Sequence, residues 1–174
     1  RSELEHFLVM SREESLDPLA PLGSYAGAMG IPQFMPSSFR AYAVDGDGDG
    51  RRNLWTSWAD VFASVANYLR EHGWRKDEPV MARADVAEAD LAGLEFGKLA
   101  LTETVGSLRA RGVRFDAPLP AEAPAVLIEL AGRDGPEHRV GFANFYAITR
   151  YNRSQLYASA VSDLADAIAA AAPP

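Results

Sequence analysis

The chain of 174 residues contains no cysteine, which excludes disulfides and thiolate metal sites but leaves the compartment open. It also has no apolar run near the roughly 18 residues that a membrane-spanning helix requires. Basic residues are outnumbered, 17 against 24 acidic ones, and the net charge is −7. Because a general nucleic-acid binder needs a basic face, we expect no nucleic-acid partner.

The amino terminus has neither an initiator methionine nor a signal peptide, and it opens directly on a helical pattern. We therefore expect a trimmed or processed fragment. Hydrophobic residues make up 48% of the chain and charged residues 24%, as is typical of globular proteins. The length suffices for one domain with a small insertion.

The apolar periodicity predicts an α+β fold in three parts. Helices dominate a core over residues 1–76, which begins at a capping box formed by Ser2 and Glu5. Residues 77–140 mix short strand and helix patterns and end in a hairpin, so they form a small β-containing inserted lobe. Helical pattern returns over residues 141–174, where we expect the C-terminal helices to pack against the first helical part.

An acidic run directly precedes one of the predicted helices. Asp45, Asp47 and Asp49 alternate with glycines, and Gly50 stands at the sixth place of the run. This matches the opening of the calcium loop of EF-hands. A hard cation needs six to eight oxygens converging on one point, and a glycine at the sixth place lets the chain turn sharply around it.

The second half of this loop departs from the EF-hand pattern. Its seventh place offers the backbone carbonyl of Arg51, but its twelfth is Thr56 instead of a bidentate glutamate. The next carboxylate is Asp60. The sequence therefore predicts an EF-hand-like loop over residues 45–60 that holds a structural calcium ion. Asp-Gly pairs are also good turn formers, and a dockerin module is a rival source of such a loop, although it would need a second copy.

Several long segments resemble the membrane-bound lytic transglycosylase B family: GSYAGAMGIPQFMPSSF at 23–39, YAVDGDGDG, NLW, SVANYL and NFYAITRYN. The resemblance covers nearly the whole chain and is weakest over residues 77–140. It implies a lysozyme-like core with an EF-hand-like calcium loop, interrupted by a small β-containing domain. It also implies a periplasmic enzyme that cleaves the MurNAc–GlcNAc β-1,4 bond of peptidoglycan glycan strands and forms 1,6-anhydro-MurNAc.

The resemblance further implies seven cleft residues, which are Ser24, Gln33, Phe34, Tyr68, Tyr151, Asn152 and Tyr157. Sugars are bound by hydrogen bonds to their hydroxyl and N-acetyl groups and by aromatic faces under the ring, and this set supplies both. Simpler interpretations stay open. Tyr68 could belong to the core and Phe34 could anchor a loop, while Ser24 could cap a turn and Asn152 could end a helix.

In this family the acid/base glutamate precedes the segment that begins RSELEHFL, so the resemblance puts it upstream of Arg1. We therefore expect the chain alone to be inactive. The pair Glu14-Ser15 superficially resembles the catalytic pair of other lytic transglycosylases, but it aligns with a non-catalytic stretch. A non-catalytic peptidoglycan-binding module and a calcium-stabilised structural domain are the alternatives. We expect a monomer, anchored to a membrane only if the preceding N-terminus is lipidated.

Overall fold

The computed structural model describes residues 1–87, 89–133 and 135–172. The chain divides into two compact units, Arg1–Glu71 and His72–Pro174. Each unit has its own set of buried apolar side chains. None of the helices in the described part of the chain has the length and apolar character that crossing a bilayer requires.

The first unit contains three helices: α1 (Ser2–Glu13), α2 (Pro36–Tyr42) and α3 (Trp58–Glu71). Helix α2 contacts both α1 and α3. The buried side chains of the unit include Met10, Met29, Phe34, Phe39, Leu54, Val61 and Tyr68. Two of these helices follow local sequence patterns: Pro36 begins α2, because proline fits the first turn of a helix, and the apolar residues of α3 recur at helical spacing.

The capping box predicted at Ser2 is wrong, because the helix already includes Ser2 and no side chain caps its start. The nearby carboxylate of Glu3 instead serves another helix. It accepts the backbone N–H of Ser37 at 2.9 Å and the Ser37 hydroxyl at 2.7 Å, at the start of α2. Burial raises the pKa of Glu3, but these hydrogen bonds outweigh it and lower the pKa below its ordinary value.

The second unit is built on a four-stranded antiparallel sheet. Its strands, in spatial order, are β1 (Met81–Ala84), β4 (Gly135–Gly141), β3 (Pro124–Gly132) and β2 (Glu103–Thr104). The predicted hairpin is confirmed as β3–β4, with Ile128 opposite Arg139. Its predicted turn includes residue 134, which lies outside the described residues. β3 lies inside the sheet, so its residues 125–128 are all buried and form an unbroken apolar run.

Three helices complete this unit: α4 (Val105–Ala110), α5 (Ala143–Tyr151) and α6 (Gln155–Ala171). Within the unit, α5 contacts β4, and α6 contacts both α5 and β3. The predicted combination of helices with a small antiparallel sheet is thus confirmed. The predicted boundaries at residues 76 and 140, and the packing of the C-terminal helices on the first helical part, stay predictions.

Candidate functional site

A groove of about 490 Å³ opens in the first unit, beside the Gly-rich loop of residues 23–34. Its described lining residues are Leu22, Gly23, Ser24, Gly30, Ile31, Gln33 and Trp55. Two of the predicted cleft residues, Ser24 and Gln33, therefore share one groove. The lining combines a hydroxyl, an amide and apolar surface, which can hydrogen-bond a polar ligand and cover its apolar face.

Short backbone bridges hold the Gly-rich loop in shape. Met29 pairs with both Gly23 and Phe34 in isolated antiparallel bridges. The Ser24 hydroxyl accepts the backbone N–H of Ala28 at 3.1 Å, so this serine does cap a turn. Because a hydroxyl has a second lone pair and a proton to donate, the cap leaves Ser24 able to hydrogen-bond a ligand in the groove.

Gln33 adopts a backbone conformation that side chains rarely take, with φ of 52°. Its side-chain amide donates to the carbonyl of Gly30 at 2.9 Å, and the residue is exposed. Strained residues of this kind cluster at functional sites, where the surrounding structure enforces them. The conformation aims an amide along the groove wall at a cost in backbone energy.

Phe34 and Tyr68 are buried in the first unit, at 3% and 9% exposure. Their ring centroids lie 5.7 Å apart, and Tyr42 meets Tyr68 edge-on at 4.9 Å. The burial of Tyr68 matches its simpler interpretation as a core residue, and Phe34 is buried beside it. Their contact with a glycan stays a prediction.

The other three predicted cleft residues belong to the second unit. Tyr151 is the last residue of α5 and is half-buried, and Asn152 is the exposed residue at the C-terminal cap of that helix. Tyr157 lies in the first turn of α6 and is 36% exposed. Their role in a cleft also stays a prediction.

The acidic run folds into a cluster. One ligand atom from each of Asp45, Asp47 and Asp49 lies within 4.8 Å of the others. Gly50 has φ of 86°, the left-handed conformation that the predicted sharp turn needs. Hydrogen bonds from the backbone N–H groups of Gly50 and Gly48, at 2.8 and 2.6 Å, outweigh desolvation and lower the pKa of Asp45, so its carboxylate is ionised at neutral pH.

Asp60 occupies a different environment from the three clustered aspartates. It is 1% exposed, and its two carboxylate oxygens accept the backbone N–H groups of Gly46 at 2.8 Å and Asn53 at 2.6 Å. These bonds tie both ends of the loop to α3. Each carboxylate oxygen has a second lone pair, so Asp60 retains acceptor capacity. Its role as a metal ligand, and that of the Arg51 carbonyl, stay predictions.

Trp55 lines the groove but was not among the residues that the sequence predicted. The backbone beside it joins the groove to the acidic loop, because the Leu54 carbonyl accepts the Ile31 N–H at 2.8 Å. A methyl group added to Gly30 would lie 2.6 Å from that carbonyl oxygen, so only glycine allows this approach. The sequence signal for Trp55 was its place shortly after the acidic run of residues 45–50, in N-L-W.

Residues 1–166 match the model of the family described as Transglycosylase SLT domain. The chain is 46% identical over 169 residues to membrane-bound lytic murein transglycosylase B of Escherichia coli (strain K12). This match covers 97% of the chain and 45% of the E. coli protein. The chain therefore spans about half the length of the curated relative that it matches.

Solved structures agree with this match. The lytic transglycosylase SltB1 from Pseudomonas aeruginosa is 48% identical, with a TM-score of 0.90, over 98% of this chain and 56% of that one. The E. coli lytic transglycosylase Slt35, in complex with calcium, is 44% identical, with a TM-score of 0.85. The match covers 98% of this chain and 53% of that one. P. aeruginosa SltB3 in complex with NAG-NAM-pentapeptide is 36% identical, with a TM-score of 0.79. The match covers 95% of this chain and 45% of that one.

Proposed function

The chain belongs to the transglycosylase SLT domain family, and from this premise we propose that it is part of a peptidoglycan lytic transglycosylase. Its substrate is the glycan strand, cleaved at the MurNAc–GlcNAc β-1,4 bond with formation of 1,6-anhydro-MurNAc. The observation that carries the proposal is the groove that brings Ser24 and Gln33 together. The murein transglycosylase activity named for the E. coli relative supports it.

In this proposal, Gln33 and Ser24 hydrogen-bond the hydroxyl and N-acetyl groups of one sugar, while the apolar wall of the groove covers the ring. Phe34 and Tyr68 support the groove from the core of the unit. Tyr151, Asn152 and Tyr157 also bind the glycan, as the family resemblance implies. Fixing the sugar in this way contributes to catalysis by orienting the bond that breaks.

The chemistry needs one carboxyl group that acts twice. It first donates its proton to the leaving glycosidic oxygen as the bond to C1 breaks. The resulting carboxylate then takes the proton of the C6 hydroxyl, whose oxygen forms the new bond to C1 and closes the anhydro ring. As the family resemblance implies, we assign this role to a glutamate upstream of Arg1.

Glu14 does not suit the acid/base role. Its carboxylate forms an ion pair with Arg52 and accepts the Arg52 Nε–H at 2.9 Å. The ion pair engages this carboxylate with Arg52, and Glu14 is not among the described lining residues of the groove beside the Gly-rich loop. The structure therefore supports the exclusion of Glu14.

We further propose that the acidic loop binds a structural calcium ion through Asp45, Asp47, Asp49, the Arg51 carbonyl and Asp60, as an EF-hand-like loop. The clustered carboxylates and the left-handed Gly50 fit a hard cation, and a related structure is in complex with calcium. The ion would neutralise three neighbouring negative charges and hold the loop in shape. The proposed enzyme works in the periplasm, and its monomeric state and conditional membrane anchoring stay predictions.

Glycan binding tests the proposal. Calorimetric titration of the chain with a tetrasaccharide of alternating GlcNAc and MurNAc should give saturable binding. The Ser24→Ala and Gln33→Ala variants should each bind about fivefold more weakly, since each loses a hydrogen bond worth about 1 kcal/mol. A folded chain that gives no heat with this saccharide would overturn the proposal.

A peptidoglycan-binding module without activity is the second candidate, because the hydroxyl, amide and apolar surface of the groove suffice to bind a glycan. The two candidates share the groove and differ in the rest of the protein. The enzyme is indicated if the sequence preceding Arg1 contains an acid/base glutamate whose replacement by glutamine abolishes formation of anhydro-muropeptides. Glycan binding without any cleavage by the whole protein decides for the module.

A further inference from the structure

The groove offers one aromatic surface among its described lining residues, and that surface is Trp55. The two aromatic residues that the sequence predicted for this part of the cleft, Phe34 and Tyr68, are almost completely buried. Trp55 is half-buried and borders the groove together with Leu22 and Ile31, which are 86% and 42% exposed. Apolar surface therefore stands beside the polar groups of Ser24 and Gln33.

We propose that Trp55 is a further glycan-binding residue, whose indole ring packs against the apolar face of a pyranose ring held in the groove. The inference rests on the proposed function, because it names the surface on which that same ligand lies. The indole Nε1 is buried and has no hydrogen-bond partner among the described residues. Contact with the sugar is therefore made through the carbon atoms of the ring.

The fold holds Trp55 in place from two sides. Its backbone N–H donates to the side-chain oxygen of Asn53 at 3.1 Å, and the Asn53 N–H donates to the buried carboxylate of Asp60. On the side-chain face, the Trp55 ring lies 6.0 Å from the Phe39 ring, centroid to centroid. A ring fixed in this way loses little conformational freedom on binding, which favours affinity.

The groove extends along the same indole. A neighbouring hollow of about 350 Å³ is lined by Leu16, Ala20, Pro21, Leu22 and Trp55. Its surface is mostly apolar, and it shares Leu22 and Trp55 with the groove. A saccharide longer than one ring can therefore continue past the tryptophan.

Calorimetric titration with the GlcNAc–MurNAc tetrasaccharide separates the role of the ring from that of folding. Trp55→Leu should weaken binding about tenfold. Trp55→Phe keeps a flat aromatic ring, so its loss of affinity should be smaller. Trp58→Phe is the matched control, since Trp58 is 58% exposed, pairs with Phe62 and does not line the groove. Equal affinities of the folded Trp55→Leu variant and the unsubstituted chain would overturn the inference.

Tryptophan fluorescence tests the role of Trp55 if the Trp55→Leu variant does not fold. The chain has three tryptophans, so the double variant Trp58→Phe/Trp74→Phe reports on Trp55 alone. Its fluorescence should shift on titration with the tetrasaccharide and saturate at the calorimetric Kd. Unchanged fluorescence despite calorimetric binding would overturn the role of Trp55 but leave the proposed function intact. Absence of binding by the unsubstituted chain would overturn both.

Discussion

At the scale of single residues, the groove depends on side chains held in conformations that cost energy or need precise support. Gln33 is the clearest case, because its left-handed backbone is uncommon for a residue with a side chain. Two hydrogen bonds to Gly30 offset part of the energy cost of this backbone conformation. The Gln33 backbone N–H and its side-chain amide both donate to the Gly30 carbonyl. Function and stability can therefore be separated at this position.

Gln33→Asn tests this separation, because asparagine tolerates the left-handed conformation better than glutamine. The free energy of unfolding should stay within about 0.5 kcal/mol of the original or rise slightly. Glycan affinity should fall about fivefold, since the shorter amide no longer reaches the ligand. Urea denaturation and calorimetric titration measure the two quantities. A parallel loss of stability and affinity would indicate a purely structural role for Gln33.

An ion pair in the second unit gives a pH-dependent prediction. Asp163 accepts two hydrogen bonds from Arg139, at 2.6 and 2.9 Å, and these lower the pKa of Asp163. Because its pKa is depressed in the folded state, the stabilisation is complete above about pH 4 and is lost as the pH falls below it. Arg139 is 6% exposed and also binds Glu137 at 2.8 Å.

Asp163→Asn should lower the free energy of unfolding at pH 7 by about 1 kcal/mol, because 56% of the Asp163 side chain is exposed and water screens the pair. It should also flatten the decline of stability below pH 4. Urea denaturation from pH 7 down to pH 3 measures both effects. Asp166→Asn, at an exposed position of the same helix, is the control and should change neither.

At the scale of elements, the acidic loop and helix α3 form one assembly. Gly46 lies so close to the helix that an added Cβ would stand 2.3 Å from the Ala59 carbonyl oxygen and 2.9 Å from the Ala63 Cβ. The same segment donates the Gly46 N–H to the buried Asp60 of α3. Close approach and a buried carboxylate thus fix the loop on the helix before any ion binds.

Gly46→Ala should therefore be strongly destabilising, by about 3 kcal/mol, because the backbone must move away from α3 and break the bond to Asp60. Gly48→Ala is the matched control: it has open space around it but φ of 79°, so it should cost about 1–2 kcal/mol from the left-handed backbone alone. Urea denaturation ranks the two variants. Equal costs would show that contact with α3 is unimportant.

Calcium should bind the folded chain and not the unfolded chain, and so stabilise the folded state. After removal of divalent ions with EDTA, addition of calcium at a hundredfold excess over its Kd should raise the free energy of unfolding by about 2.7 kcal/mol. Asp49→Asn should weaken this response, because it removes a charge but keeps an oxygen for the Arg51 N–H. Asp90→Asn, in a similar turn of the second unit, should respond like the unsubstituted chain. A melting temperature insensitive to both EDTA and calcium would contradict the site.

At the scale of the whole molecule, the chain covers 45% of its E. coli relative. Its net charge of −7 disfavours polyanionic partners, while uncharged sugar rings bind without regard to it. The groove in the first unit presents polar and aromatic groups, and its described lining includes no carboxylate. Binding and cleavage should therefore be separable for this chain.

Incubated with purified peptidoglycan, the 174-residue chain should release no 1,6-anhydro-muropeptides that mass spectrometry can detect. Loss of the acid/base group alone removes about 10²–10⁴-fold in rate. The membrane-bound lytic murein transglycosylase B of E. coli is the positive control under the same conditions. Anhydro products from the short chain would show that a carboxyl group among these residues performs the acid/base steps.

The sequence by itself determined the elements whose pattern is local. Periodicity placed α3 and α6, proline placed the start of α2, and the apolar run 125–128 placed the central hairpin. The alternating aspartates also predicted a cluster, which the fold confirms for Asp45, Asp47 and Asp49. These signals succeed because neighbouring residues alone decide helix starts, strand patterns and tight turns.

Only the tertiary structure decided which side chains face the groove. Phe34 and Tyr68 became core because they pack on each other, whereas Trp55 reached the groove because Leu54 pairs with Ile31, more than twenty residues earlier. Likewise, the Glu3 carboxylate of α1 accepts a hydrogen bond from the backbone N–H of Ser37 at the start of α2, instead of capping its own helix. Such contacts depend on elements that meet in space, and no spacing along the chain records them.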